Sequence, residues 1–250
     1  MPADYIPRRR RKKHNVLYGP TAFLLICAAI ILSMGVFFRV SEIEISGESV
    51  YSDEEIMDAT GIEKGTNLFF INQSAAASRL TARLPYIETA TIIPRLPGRV
   101  VIELRASDAV AVVTVESDYW LIDRSCKLLE KTDASAIDRY IQVHDLTPLA
   151  PAVGETIAAG EEDKAKVGFL ARLLSGLAAR DMLADTADIR LENMANPTFR
   201  YQDRFTVRMG PGEDVEHKLS LLSSAVSQLA PGDSGTLDLS SGTRVSFSQD

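Results

Sequence analysis

The hydrophobic pattern divides the chain into one unbroken apolar run near its start and a long succession of short alternating or periodic segments. No charged residue occurs from Asn15 to Phe38. The run 17–38 (LYGPTAFLLICAAIILSMGVFF) has about the roughly 20 residues that an α-helix needs to cross a bilayer core. Pro20 falls near its start, where a missing N–H costs least. The run has no polar face, unlike a helix packed on the surface of a core. Charge returns at once with Arg39, Glu42 and Glu44. A cleaved signal peptide would have a shorter apolar region followed by small residues two apart. Here the run ends Val36-Phe37-Phe38-Arg39-Val40, which predicts an uncleaved anchor.

Between 40 and 105 the period changes several times within a short span. Ile43 and Ile45 alternate with Glu42 and Glu44, the signature of a half-buried strand, and Gly47 ends it. Ser52 with Glu55 three residues on has capping-box spacing and opens a short helix that Gly61 closes. A second helix is predicted near 74–84, with Leu80 and Leu84 on one face and Pro85 stopping it. Two strands follow near 87–94 and 99–105, joined at Leu96-Pro97-Gly98. The predicted order is β-α-α-β-β.

The rest, 108–250, is strand-rich first. Strands are predicted over 109–115, 119–123, 128–130 and 140–143, and Pro148, Pro151 and Gly154 mark a loop. A helix over 161–183 carries the stripe Val167, Leu170, Leu173, Leu174 and Leu177. Strands resume at 189–191, 198–201 and 205–209. A helix over 215–229 shows Leu219, Leu222, Val226 and Leu229 on one face, and strands at 235–239 and 243–247 end the chain. The fold class is therefore α+β, and no second long apolar run or internal repeat comes after the first.

Charge fixes the expected orientation. Residues 1–15 hold Arg8, Arg9, Arg10, Arg11, Lys12 and Lys13 against the single acid Asp4, a net of +5, while the chain as a whole is −7. The remaining body is thus acidic. A basic cluster before a membrane helix stays in the cytoplasm, which places 1–15 inside and 40–250 outside. An acidic body argues against nucleic acid as a partner, since phosphate binding needs clustered cations. Of the two cysteines, Cys27 lies inside the apolar run and Cys126 in the outer body, so they build no disulfide framework.

Candidate chemistry is sparse. Gly232-Asp233-Ser234-Gly235 resembles the nucleophile loop of trypsin-like serine proteases, but such a serine needs a histidine oriented by a carboxylate. Of the three histidines, His14 lies across the membrane, and His144 and His217 lack the surrounding motif. The string is also good turn composition. Three dispersed histidines give no zinc spacing, and Gly210-Pro211-Gly212 lacks the third glycine of a dinucleotide fingerprint. The acids at 53–55 and 161–163 sit in predicted first turns, where the helix dipole favours them. No catalytic, cofactor-binding or metal-binding residue is assigned, and no enzyme is expected.

Several longer strings carry a resemblance. They are Phe38-Arg39-Val40-Ser41-Glu42-Ile43-Glu44-Ile45-Ser46-Gly47, Gly61-Ile62-Glu63-Lys64-Gly65-Thr66-Asn67-Leu68-Phe69, Leu84-Pro85-Tyr86-Ile87-Glu88-Thr89-Ala90, and Ile93-Pro94-Arg95-Leu96-Pro97-Gly98-Arg99-Val100. Farther on come Arg208-Met209-Gly210, Lys218-Leu219 and Leu237-Asp238-Leu239. With the basic tail and single anchor, this pattern resembles the FtsQ/DivIB family of bacterial cell-division proteins, and its first module is similar to a POTRA domain. The resemblance implies a basic tail at 1–15, a transmembrane helix at 16–38, a POTRA domain at 39–106 and an FtsQ/DivIB-type β domain at 107–250. It implies a non-enzymatic divisome scaffold, holding FtsL-like and FtsB/DivIC-like partners and recruiting other divisome components through the POTRA domain at the septum. It also implies that the last strand is the partner edge, here Thr243, Arg244, Val245, Ser246, Phe247 and Ser248; its alternation turns either Val245 and Phe247 or, in the reversed phase, Arg244, Ser246 and Ser248 to the core. Two other readings compete. POTRA modules also serve secretion and outer-membrane assembly, although those systems carry several modules and a membrane barrel. An anchored envelope hydrolase would use Ser234.

Overall fold

Helix α1 spans Tyr18–Phe37 in the computed structural model, which describes residues 18–161 and 163–249. The basic cluster Arg8–Lys13 lies outside the described residues. Large side chains of α1, among them Phe23, Leu24, Leu25 and Leu32, are exposed. A core helix would bury one face. This one is long and apolar enough to cross a membrane and is not buried in the protein, so lipid is the environment that suits it.

Its last turn is tied directly to the first folded module. Asn67 Nδ2 donates to the Met34 carbonyl at 3.0 Å, and Arg39 Nε donates to the Gly35 carbonyl at 3.0 Å. Both carbonyls belong to the helix end, where no intrahelical N–H remains to satisfy them. The Leu68 N–H donates to the Phe38 carbonyl at 2.8 Å. Phe69 meets Phe38 edge to face, ring centroids 5.2 Å apart.

That module contains β1 (Glu42–Ser46), α2 (Asp53–Thr60), α3 (Gln73–Arg83), β2 (Ile87–Arg95) and β3 (Arg99–Ala106), in the order read from the sequence. Ser52 and Glu55 form both bonds of the capping box, and α2 ends at Gly61 in the left-handed region. Asn72 caps α3 by accepting the Ala75 N–H at 3.0 Å. The sheet order is β1-β3-β2, with β1 parallel and β2 antiparallel to β3. Ile56, Leu80, Ile87, Val100 and Ile102 fill the space between this sheet and its two helices. A 3-10 turn at Leu68–Phe70, which no periodicity announces, sends Leu68 into that core and leaves Phe69 and Phe70 outside.

The second domain is one nine-stranded sheet. Its strands are β4 (Ala111–Val115), β5 (Asp118–Ile122), β6 (Leu128–Thr132), β7 (Ile141–His144), β8 (Thr186–Arg190), β9 (Thr198–Tyr201), β10 (Phe205–Arg208), β11 (Gly235–Asp238) and β12 (Ser246–Gln249). In space they run β12-β11-β10-β9-β8-β7-β4-β5-β6. Helix α4 (Lys164–Ala178) connects parallel neighbours β7 and β8, and α5 (Val215–Val226) connects parallel neighbours β10 and β11. Parallel neighbours need such a crossover, because a tight turn cannot join them. Leu170, Leu173, Leu174 and Leu177 of α4 share one core with Leu219 and Leu222 of α5 and with Val143, Ile189, Phe199, Val207 and Leu237 of the sheet.

Helix α4 is shorter than the predicted 161–183. The chain turns left-handed at Asp181, φ +54°, and the Met182 N–H closes back on the Leu177 carbonyl at 2.9 Å. That wrap satisfies the terminal carbonyls and ends the helix although the apolar stripe continues to Leu183.

Candidate partner-binding edge

A sheet that does not close has two edges, and each presents unpaired N–H and C=O groups to anything that can add a strand. The first-module sheet and the nine-stranded sheet therefore offer four edges: β1, β2, β6 and β12. Three are guarded. β1 carries Glu42 and Glu44, both paired to Arg99. β2 contains Pro94, which removes a donor. β6 is met at its start by the Glu155 carbonyl and the Gly154 N–H, and continues as Glu130-Lys131.

β12 has none of these protections. Its four residues, Ser246-Phe247-Ser248-Gln249, hold no charge and no proline, and all four are exposed. It pairs antiparallel with β11 on one side, Leu237 opposite Phe247 and Asp238 opposite Ser246, and its other side is the end of the sheet.

The local sequence explains how this strand is held. Gly235 opposes Gln249 at φ +149°, and a Cβ there would lie 2.1 Å from the Ser248 carbonyl oxygen, so only glycine lets β12 approach so closely. Phe247 meets Phe205 of β10 edge to face at 6.2 Å, which covers part of its ring. Val245 packs against the domain core. At the turn, Asp238 Oδ1 accepts the Ser240 N–H at 2.8 Å and Ser241 Oγ donates to the Arg244 carbonyl at 3.0 Å. Gly210 underlies this turn, because a Cβ there would lie 2.4 Å from Ser240 Cα. Lys218 Nζ, buried, donates to the Met209 and Pro211 carbonyls at 2.8 and 2.6 Å and fixes the loop that carries Gly210.

The six candidate residues of the sequence reading thus divide. Ser246, Phe247 and Ser248 lie in β12, whereas Thr243, Arg244 and Val245 precede it, because the turn extends through Arg244. Val245 and Phe247 do share the face turned to the domain interior, leaving Ser246 and Ser248 on the other. Gln249 belongs to the strand as well, beyond the end that the alternation predicts. Gly235 acts through the passage of Ser248 across the ladder and Lys218 through two carbonyls seven and nine residues before it, neither of which shows as a period in the sequence.

The protease-like string is a turn in this structure. The Ala230 N–H donates to Asp233 Oδ2 at 2.7 Å, and the Arg204 guanidinium donates to the Ala230, Pro231 and Asp233 carbonyls. Among the described residues no histidine is hydrogen-bonded to Ser234, and no group of three His, Cys, Asp or Glu side chains is placed to hold a metal ion. Cys126 is a packed thiol: burial, with the Asp123 carboxylate nearby, pushes it up to about 12, which leaves it protonated and unreactive at neutral pH.

Residues 38–105 match the model of the POTRA domain, FtsQ-type. The chain is 26% identical over 218 residues to cell division protein DivIB of Clostridium tetani, covering 87% of this chain and 81% of that protein. It is 22% identical over 239 residues to DivIB of Clostridium acetobutylicum, covering 95% of this chain and 94% of that one. A shorter likeness, 23% over 110 residues, links it to cell division protein FtsQ of Corynebacterium glutamicum, with 44% and 49% covered. A POTRA module of the FtsQ type behind an apolar helix, a β-rich second domain and relatives that span most of the chain lead to one conclusion: over most of its length the chain is similar to the FtsQ/DivIB cell-division proteins.

Proposed function

We propose that this protein is a non-enzymatic divisome scaffold that takes a strand from an FtsB/DivIC-type partner onto β12, and that it holds an FtsL-like protein through the same assembly. The carrying observation is the one unguarded edge among the described strands: β12 is uncharged, free of proline and exposed. Strand addition draws affinity from main-chain bonds and specificity from alternate side chains. In β12 the outward pair Ser246 and Ser248 would face the added strand's neighbours, and Phe247 would help to close the apolar side. Arg8, Arg9, Arg10, Arg11, Lys12 and Lys13 hold the tail in the cytoplasm on this reading, with both folded domains outside. The POTRA domain then stands between membrane and β domain, placed to meet other division proteins.

Removal of residues 243–250 tests the proposal. The truncated protein is expected to lose an FtsB/DivIC-type partner in a pull-down while keeping its far-ultraviolet circular dichroism, since the core contains none of the removed residues except the partly buried Val245. Undiminished capture of the partner would sink strand addition at β12.

A further inference from the structure

We propose that the membrane-proximal end of the POTRA domain seats on the bilayer, with Phe69, Phe70 and Leu96 entering the boundary between headgroups and acyl chains. This rests on α1 crossing that bilayer. Single exposed apolar residues are ordinary, but these are large and gather at one end of the module. Phe70 is 85% exposed, the highest value for any large apolar side chain among the described residues, α1 included. Phe69 is 54% exposed and Leu96 63%.

Their depth follows from the contacts to α1. Asn67 Nδ2 donates to the Met34 carbonyl, while Asn67 Oδ1 accepts the Phe69 N–H at 2.9 Å. One side chain therefore caps the membrane helix and fixes the 3-10 turn that carries both phenylalanines. Met34 lies four residues before Phe38, about 6 Å deeper along the helix axis at 1.5 Å per residue. Phe69 in turn lies against the Phe38 ring. The turn is thus level with the final turn of the apolar run. The β2–β3 turn comes to the same end, since the Gly98 carbonyl accepts the Ser41 and Glu42 N–H groups at 2.7 and 3.2 Å. Arg39, Lys64 and Arg95 are exposed on these same segments. Aromatic rings at the boundary, with long cations reaching the phosphates, are the composition of a membrane-interface surface. Such seating would fix the tilt of the rigid outer domains over the membrane.

Tryptophan scanning of the full-length protein tests this. Phe70→Trp, Val50→Trp and Leu24→Trp would be reconstituted in phosphatidylcholine–phosphatidylglycerol vesicles with plain or brominated acyl chains. Trp120, buried in the β domain, supplies a constant background in the unsubstituted protein. Val50 is 74% exposed on the loop beyond β1, at the opposite end of the sheet, and serves as the water-facing control. The expected result is a blue shift and loss of about half the added emission for Phe70→Trp in brominated vesicles, with Leu24→Trp quenched and Val50→Trp unchanged. Quenching of Leu24→Trp with Phe70→Trp no more affected than Val50→Trp overturns the seating while the anchor stands. Quenching of neither overturns both. Shielding of Phe70→Trp only after a division protein is added also overturns it and gives the turn to a protein partner.

Discussion

Asp238 stands where β11 leaves the sheet for the turn that presents β12, and its charge is part of that turn. The Ser240 hydroxyl, and then the Ser240 backbone N–H, hold its carboxyl below the ordinary value of 3.8. Its folded value therefore lies below its unfolded one. The stabilisation is fully present above 3.8 and is lost as pH falls through the folded value. Glu55 in the α2 capping box behaves in the same sense, held low first by the Ser52 backbone N–H and then by its hydroxyl. Asp238 is half-buried, so the bond is screened, and Asp238→Ala is expected to cost about 1 kcal/mol in urea unfolding at neutral pH. The gap between variant and unsubstituted protein should shrink as the solution is acidified below the carboxylate range. A gap that stays constant into acid would mean that Asp238 acts through its shape rather than its charge.

Elements whose ends carry a recognisable cap residue were legible, and those ended by backbone wraps, turn bonds or the approach of another segment were not. Ser52, Glu55 and Gly61 bracket α2 because a cap and a left-handed stop need only neighbours. The alternation in β1 and β3 likewise reports one buried face, with Val100, Ile102 and Leu104 inward. By contrast, α4 stops short of its apolar stripe because Leu177 and Met182 close a wrap around Asp181. β12 begins late because its turn is held by Asp238, Ser241 and the Gly210–Ser240 approach, none visible as a period. Gly235 is the sharpest instance. Its place in a Gly-Asp-Ser-Gly string suggests a turn, yet its decisive property is the close passage of Ser248 across the ladder. Gly235→Ala combines an unfavourable backbone angle with that clash and is expected to cost about 1–3 kcal/mol. The damage should be confined to the β11–β12 pair. Hydrogen exchange would show faster exchange in β12 with β7 to β10 protected as before. Unchanged protection of β12 would mean that the strand can shift to accommodate the methyl group.

Across the whole molecule, α1, the POTRA domain and the β domain are joined by bonded seams. At the upper seam the Ser107 N–H donates to the Tyr86 carbonyl at 2.9 Å, and Ser107 Oγ donates to Asp123 Oδ2 at 2.7 Å. Tyr86 packs with Val112, Leu121 and Leu129 in a small core that belongs to both domains. Two cations cross the boundary from one short loop. Arg124 pairs with Glu88 at 2.6 Å, and Lys127 Nζ donates to the Ile87 carbonyl at 2.6 Å. They are unequal in weight. The Arg124 guanidinium is 40% exposed, and such pairs contribute at most about 1 kcal/mol. Lys127 is buried and meets a carbonyl beside the bulge in β2, so its removal leaves that acceptor unpaired away from water. Lys127→Met keeps the apolar stem and removes only the donor, for an expected loss of about 1–3 kcal/mol. Arg124→Ala should lose less. Because each domain has its own core, the loss should appear as a loosened joint rather than unfolding. Thermolysin should cut the 106–110 connection faster in Lys127→Met while both domains survive as fragments. If β12 captures a partner far from the membrane, that joint carries the captured strand's position back to α1. A Lys127→Met protein that resists cleavage as the unsubstituted one does would place the stiffness of the joint in the Tyr86 core alone.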